Sequence, residues 1–172
     1  LVHAGTRAGV LAAEAAILRA LQASTLAEAA YFSQRVPQAI ASGVGETACG
    51  NQREGLLLRH PSGYWGSLAQ VLRYAANGIE PRHAVWIWRR VLEVLAFAHD
   101  SDWTHGDLRP EHWLVHPRDH GVLLVGWSRA MPGADDAAIA RDLRQSAWTL
   151  RALLCGGDTL PTCGRNTPPP LV

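Results

Sequence analysis

The apolar positions of this chain change period several times, and each change marks an element. Leu1-Val2-His3-Ala4 is a short apolar run that predicts the end of a strand. Val10, Leu11, Ala15, Leu18 and Leu21 then recur at helical spacing and predict a helix from about Ala8 to Gln22. Gln38-Ala39-Ile40-Ala41 is a strand candidate, and the Gly-rich stretch from Gly43 to Gly50 reads as a turn. Gly55-Leu56-Leu57-Leu58-Arg59 is a compact apolar run of the kind that forms a buried strand. His60-Pro61-Ser62-Gly63-Tyr64 interrupts the pattern and reads as a linker between an upper, strand-containing part and a lower, helical part.

Ser67-Leu68-Ala69-Gln70 has the spacing of a capping box and predicts a short helix ending near Ala76, with Asn77-Gly78 as its stop. Pro81 suits a first helical position. From there Val85, Trp88, Val91, Leu92, Leu95 and Ala98 form an apolar stripe up to His99, the strongest helical signal in the chain. Trp86 falls off that stripe and faces either a loop packed beneath it or a partner. Trp113-Leu114-Val115 and Val122-Leu123-Leu124-Val125 predict two strands joined as a hairpin through Arg118-Asp119-His120-Gly121. Met131-Pro132-Gly133 reads as a turn. Asp135 or Asp136 caps a last helix whose core stripe is Ile139, Leu143, Ala147, Leu150 and Leu154, ended by Gly156-Gly157. The Pro-rich tail from Pro161 to Val172 has no periodicity and is expected to be extended or poorly ordered.

Composition narrows the function classes. A length of 172 residues with 48% hydrophobic residues suits one domain or two small lobes with a real core. Net charge is +1, so nothing electrostatic argues for nucleic acid or an anionic membrane as partner. Cys49, Cys155 and Cys163 are widely spaced with no C-x-x-C pair, which argues against a thiolate zinc site or a disulfide scaffold and fits a reducing cytoplasm. The Ala-rich start is broken by Arg7, Glu14 and Arg19, so it reads neither as a signal segment nor as a membrane span. Because the first residue is Leu1 and not Met, the chain is expected to be a fragment or a processed form.

The chemistry concentrates in Thr104-His105-Gly106-Asp107-Leu108-Arg109-Pro110-Glu111-His112, a charged loop between the long helix and the hairpin. This stretch resembles the catalytic loop of protein kinases, H-R-D-L-x-x-x-N, with Arg109-Pro110-Glu111 in place of the familiar Lys-Pro-Glu. Val125-Gly126-Trp127-Ser128 lies where that family carries its metal-binding D-F-G. Glu14 to Leu21 resembles the helix whose Glu pairs with a nucleotide-binding Lys, a position that falls on His3. Asp142 to Gly156 resembles the helix that anchors the large lobe. The resemblance implies an α+β, truncated protein-kinase-like fold. It divides the chain into a partial small lobe over residues 1–60, a mainly helical large lobe over 61–157 and a tail over 158–172. His105-Gly106-Asp107 and Trp127 also resemble small-molecule kinases of the aminoglycoside phosphotransferase type; the run from Trp86 to His112 favours a degenerate bacterial-type protein kinase.

Set against that family, several positions depart from what phosphoryl transfer needs, which is positioning and charge neutralisation. Gly126 has no side chain to hold Mg²⁺. His112 stands where Asn is expected, and imidazole suits zinc or copper better than a hard, oxygen-seeking ion. His3 replaces the Lys, so Glu14 loses a permanently charged partner. Asp107 keeps the position of the proton-accepting base, and its competing role is to bond local backbone N–H groups. His112, His116 and His120 recur every fourth residue, but Pro117 and the apolar residues between them argue for strand and turn rather than a helical metal face.

The expected function is therefore a catalytically impaired pseudokinase that acts by binding or scaffolding a protein partner. Nucleotide, with ATP foremost, is a conceivable ligand, and Mg²⁺ is not expected to bind in the usual way. Two alternatives stand beside it. One is a divergent ATP-dependent phosphotransferase with Asp107 as base. The other is a helical interaction domain without nucleotide binding.

Overall fold

A computed structural model describes residues 2–5, 9–46, 48–64, 66–75, 77–118 and 121–156, the first four through their backbone alone. The fold is α+β. Strand β1 (Val2–Gly5), strand β2 (Gln38–Glu46) and strand β3 (Gln52–Arg59) form an antiparallel sheet in the order β1-β3-β2. Helix α1 (Val10–Gln22) packs across it through Leu11, Ala15, Leu18 and Leu21. Its first turn is fixed from β3: the Glu54 carboxylate accepts the Leu11 N–H at 3.3 Å and the Ala12 N–H at 2.8 Å. A carboxylate at the positive end of a helix satisfies donors that have no partner inside it.

A short helix α2 (Ala29–Phe32) leads into the sheet. Strand β2 is longer than the sequence pattern predicts. It runs through Gly43 and Gly45 to Glu46, where a turn was expected, because β3 pairs with it over the whole length, Gly43 opposite Gly55 and Glu46 opposite Gln52. The local glycine signal gives way to pairing with the strand that follows, as strand propensity commonly does.

Below the linker, strand β4 (Gly66–Ser67) leads into helix α3 (Leu68–Tyr74), whose Ser67 N–H donates to Gln70 Oε1 at 2.9 Å, the predicted capping arrangement. Helix α4 (Pro81–Asp100) begins with Pro81 at its first position, as predicted. Its buried stripe is Ala84, Ile87, Val91, Val94, Leu95 and Ala98; Val85, expected inside, is 45% exposed. Strand β5 (Trp103–Thr104) follows, then the charged loop, strand β6 (Trp113–His116) and strand β7 (Gly121–Leu124). The last two form the predicted hairpin, extended by β4 into a three-stranded sheet. Met131–Pro132, expected as a turn, forms strand β8 and pairs with β5.

Helix α5 (Asp136–Cys155) starts with Asp135 accepting the Ala138 N–H at 2.7 Å and ends at Gly156 in the left-handed region. Its inward face differs from the predicted one. Asp142, Ser146, Thr149 and Leu153 are buried, while Leu143 is 42% exposed and Ala147 is exposed. Side chains of α1, β3, α4, β7 and the segment after it meet in one apolar core that includes Leu18, Leu56, Leu95, Leu124 and Trp127. Each fully buried Leu contributes about 2 kcal/mol of transfer free energy. No helix among the described residues is long and apolar enough to cross a membrane. The tail expected to be extended, Pro161 to Val172, lies outside the described residues.

Candidate functional site

The charged loop is positioned from below by polar side chains on α5. Asp142 is fully buried. Its Oδ2 accepts the His105 N–H at 2.8 Å and its Oδ1 the Gly106 N–H at 2.8 Å, and His99 Nε2 sits 3.1 Å from Oδ2. One turn on, Gln145 accepts the Leu108 N–H at 3.1 Å and donates to the Gly106 carbonyl at 3.3 Å. Thr149 donates to the Leu108 carbonyl at 2.6 Å. These polar residues explain the altered face of α5. Loop backbone cannot stay buried with unpaired N–H and C=O groups, so the helix beneath it supplies partners in place of leucines. Burial alone would raise the Asp142 pKa. Hydrogen bonds from His99 and from the Gly106 and His105 N–H groups outweigh it, and the carboxyl lies below its usual value.

His105 is also fully buried, and Trp127 packs against it at 4.5 Å between ring centroids. Its Nε2 lies 3.1 Å from the Val125 carbonyl, which can only accept, so Nε2 carries the hydrogen. Nδ1 is then free to accept the Asp107 N–H at 3.3 Å. Burial lowers the His105 pKa most, and the nearby His112 lowers it further. Asp142, the Val125 contact and Asp107 oppose them, and the value is pushed down from 6.5 to about 4. This ring is a neutral structural strut across the loop.

Gly106 has φ +75°, and a Cβ there would come within 2.7 Å of the Arg129 carbonyl oxygen. Only glycine meets both conditions, the left-handed backbone and the close approach of another chain segment. This requirement escapes a motif reading, in which the second position of the triplet looks free to vary.

Asp107, the expected base, has a side chain that is 11% exposed and already engaged. Arg109 grips it with two donors, Nε to Oδ1 at 2.7 Å and Nη2 to Oδ2 at 2.9 Å. Arg129 Nε stands 3.8 Å from Oδ2. A bidentate guanidinium–carboxylate pair is charge-assisted and fixes the geometry of both side chains. Among the described residues no backbone N–H donates to the Asp107 carboxylate, which faces the two arginines. A reacting hydroxyl would have to share or displace the Arg109 fork to reach it.

His112 closes the other end of the loop. Its Nδ1 lies 2.6 Å from the Asp107 carbonyl oxygen, so Nδ1 holds a hydrogen and donates to it. The β6–β7 hairpin folds this ring onto Gly126, and the Val125 N–H donates to the His112 carbonyl at 2.9 Å. Gly126 has φ +79°, and a Cβ built on it would fall 2.6 Å from both Cδ2 and Nε2 of the imidazole. The ring therefore occupies the volume that a side chain at 126 would need. Next to it the Trp127 N–H donates to Glu14 Oε1 at 3.0 Å, which ties α1 to this end of the site.

The structure thus brings together Glu14, Asp107, His112 and Gly126. The side chain of His3 lies outside the described residues; its backbone pairs opposite Leu56 in β3. His116 ends β6, in line with the strand-and-turn expectation, and His120 lies outside the described residues. Among the described residues no group of three His, Cys, Asp or Glu side chains is placed to hold a metal ion. Asp142, His99, Gln145 and Thr149 are the site residues that sequence reasoning missed. Their signal was there: 142, 146, 149 and 153 follow helical spacing as well as the apolar set does. No protein-family model matches the chain, and no curated protein matches it.

Proposed function

We propose that this chain is a protein-kinase-like domain that has lost phosphoryl transfer and acts as a pseudokinase, a binding or scaffolding module for a protein partner. The observation that carries this reading is the packing of His112 against Gly126. Both positions that should present oxygen ligands to Mg²⁺ lack them, and the imidazole fills the space in which a carboxylate would sit. Without those ligands the charge that develops on a transferring phosphoryl group has no counter-ion at this end of the site. The frame of the loop supports the kinase-like part of the reading. Asp142 holds two successive loop amides, and Glu14 reaches across to the segment after β7.

The test is thermal denaturation with ATP, with and without Mg²⁺. The expected result is no Mg²⁺-dependent stabilisation. A shift that needs both ATP and Mg²⁺ would overturn the proposal, because binding to the native state alone stabilises it in proportion to occupancy. A second reading, a divergent ATP-dependent phosphotransferase, is favoured by one observation: Asp107 is retained at the edge of the site with an arginine fork that substrate could displace. Phosphorylation of a substrate that disappears in Asp107→Ala would establish it. No compartment is part of the proposal.

A further inference from the structure

Helix α5 has two faces with opposite tasks. The inner face, Asp142, Ser146, Thr149 and Leu153, is buried. At 3.6 residues per turn, Arg141, Arg144, Trp148 and Arg151 fall within about 80° of one another on the outer side, over about 15 Å of helix. Arg141, Arg144 and Trp148 are exposed, the indole at 59%. Arg151 stacks its guanidinium 5.3 Å from the centroid of that indole. Among the described residues no carboxylate pairs with any of these three arginines. The only other acids on α5 are Asp136 in its first turn and the buried Asp142, so the stripe is cationic from end to end.

We propose that this outer face of α5 is a docking surface for an acidic segment of a partner protein, with Trp148 as its apolar anchor. Charge complementarity selects the occupant. Arg141 and Arg144 stand about 5 Å apart along the axis and Arg151 about 10 Å beyond Arg144, so their fields overlap over a Debye length of about 8–10 Å, and carboxylates answer them. A second copy of this chain would bring like charge to the stripe. A nucleic acid would need a broader basic surface than one helix on a chain of net charge +1 provides. Arg and Trp are the residue types that dominate interface energetics, and an indole already stacked under an arginine is pre-organised for burial. The surface lies on the side of α5 opposite the loop, so the inference goes beyond the reading of the loop and does not depend on it.

Fluorescence anisotropy of a labelled peptide in which glutamates alternate with leucine and phenylalanine provides the test, with a glutamine version of the peptide and labelled poly-uridylate beside it. The acidic peptide is expected to bind, more weakly as salt rises. Arg144→Glu with Arg151→Glu should weaken it by at least about tenfold through like-charge repulsion. Trp148→Ala should weaken it about tenfold as well. Arg118→Glu, an exposed charge reversal in the β6–β7 turn, should leave it unchanged. Melting midpoints of all variants check that the fold is kept, which the exposure of Arg144 and Trp148 favours. The proposal is overturned if the acidic peptide does not bind, if the glutamine version binds equally, if neither α5 variant weakens binding, or if poly-uridylate binds more tightly than the peptide.

Discussion

The two ends of the charged loop make an instructive contrast. The end over α5 is held by a buried carboxylate, an amide and a hydroxyl, each bonded to loop backbone. The end under the β6–β7 hairpin is closed by an imidazole resting on a glycine. The first arrangement is needed to fold the loop at all. The second fills with an imidazole ring the space that a side chain at 126 would need. Loss of a partner for a buried backbone group costs about 1–3 kcal/mol each, so the end over α5 tolerates change least.

That contrast can be broken experimentally, and the largest effect is expected at Asp142. Asp142→Ala strands two buried loop amides and His99, and should lower unfolding free energy by about 3–5 kcal/mol in urea titrations. A loss below about 1 kcal/mol would mean that the loop holds its shape without α5.

Acid should act next. The folded pKa of His105, about 4, lies below the unfolded value of 6.5, so between these the unfolded chain binds more protons than the native one. The contribution is fully present above pH 6.5 and is lost as pH falls toward 4, by about 3 kcal/mol over the whole window. Asp142, whose pKa is lowered, adds a further loss only below its unfolded value of 3.8. Unfolding free energies that stay flat from neutral pH down to that range would contradict the buried, neutral assignment of His105.

A smaller effect is expected at the hairpin end. Gly126→Asp places a Cβ against His112 and forces an L-residue into the left-handed region, at about 2 kcal/mol. Adding His112→Asn removes the ring and should recover part of that loss, a coupling visible in a double-mutant cycle. Strict additivity would show that the imidazole yields freely and is no obstacle to an acidic residue. The smallest change is expected for Arg109→Ala. Its guanidinium is mostly exposed, and the pair is worth less than about 1 kcal/mol. Calorimetry should nevertheless find Mg²⁺–ATP binding no stronger after Asp107 is released from the fork.

The fold was legible where local pattern and tertiary demand agree. Pro81, the apolar stripe of α4, the Ser67–Gln70 cap and the β6–β7 hairpin all follow from spacing and turn chemistry. It was illegible where a distant partner decides. Strand β2 continues through two glycines because β3 pairs with it. In α5 the apolar pattern pointed to Leu143 and Ala147, and the loop backbone selected Asp142, Ser146 and Thr149. The site was half legible: the motif located Asp107 and the departures at His112 and Gly126. Their direct contact follows only once the hairpin between them folds back.

The bond from Trp127 to Glu14 joins residues 113 positions apart, and both are almost wholly shielded from water. Moving α1 outward would strip a buried carboxylate of this donor and open the packing beside an indole. Trp127 thus reports where α1 sits, and in a variant that keeps it as the sole tryptophan, a partner or ligand that repositions the helix will change the colour of a residue it never touches.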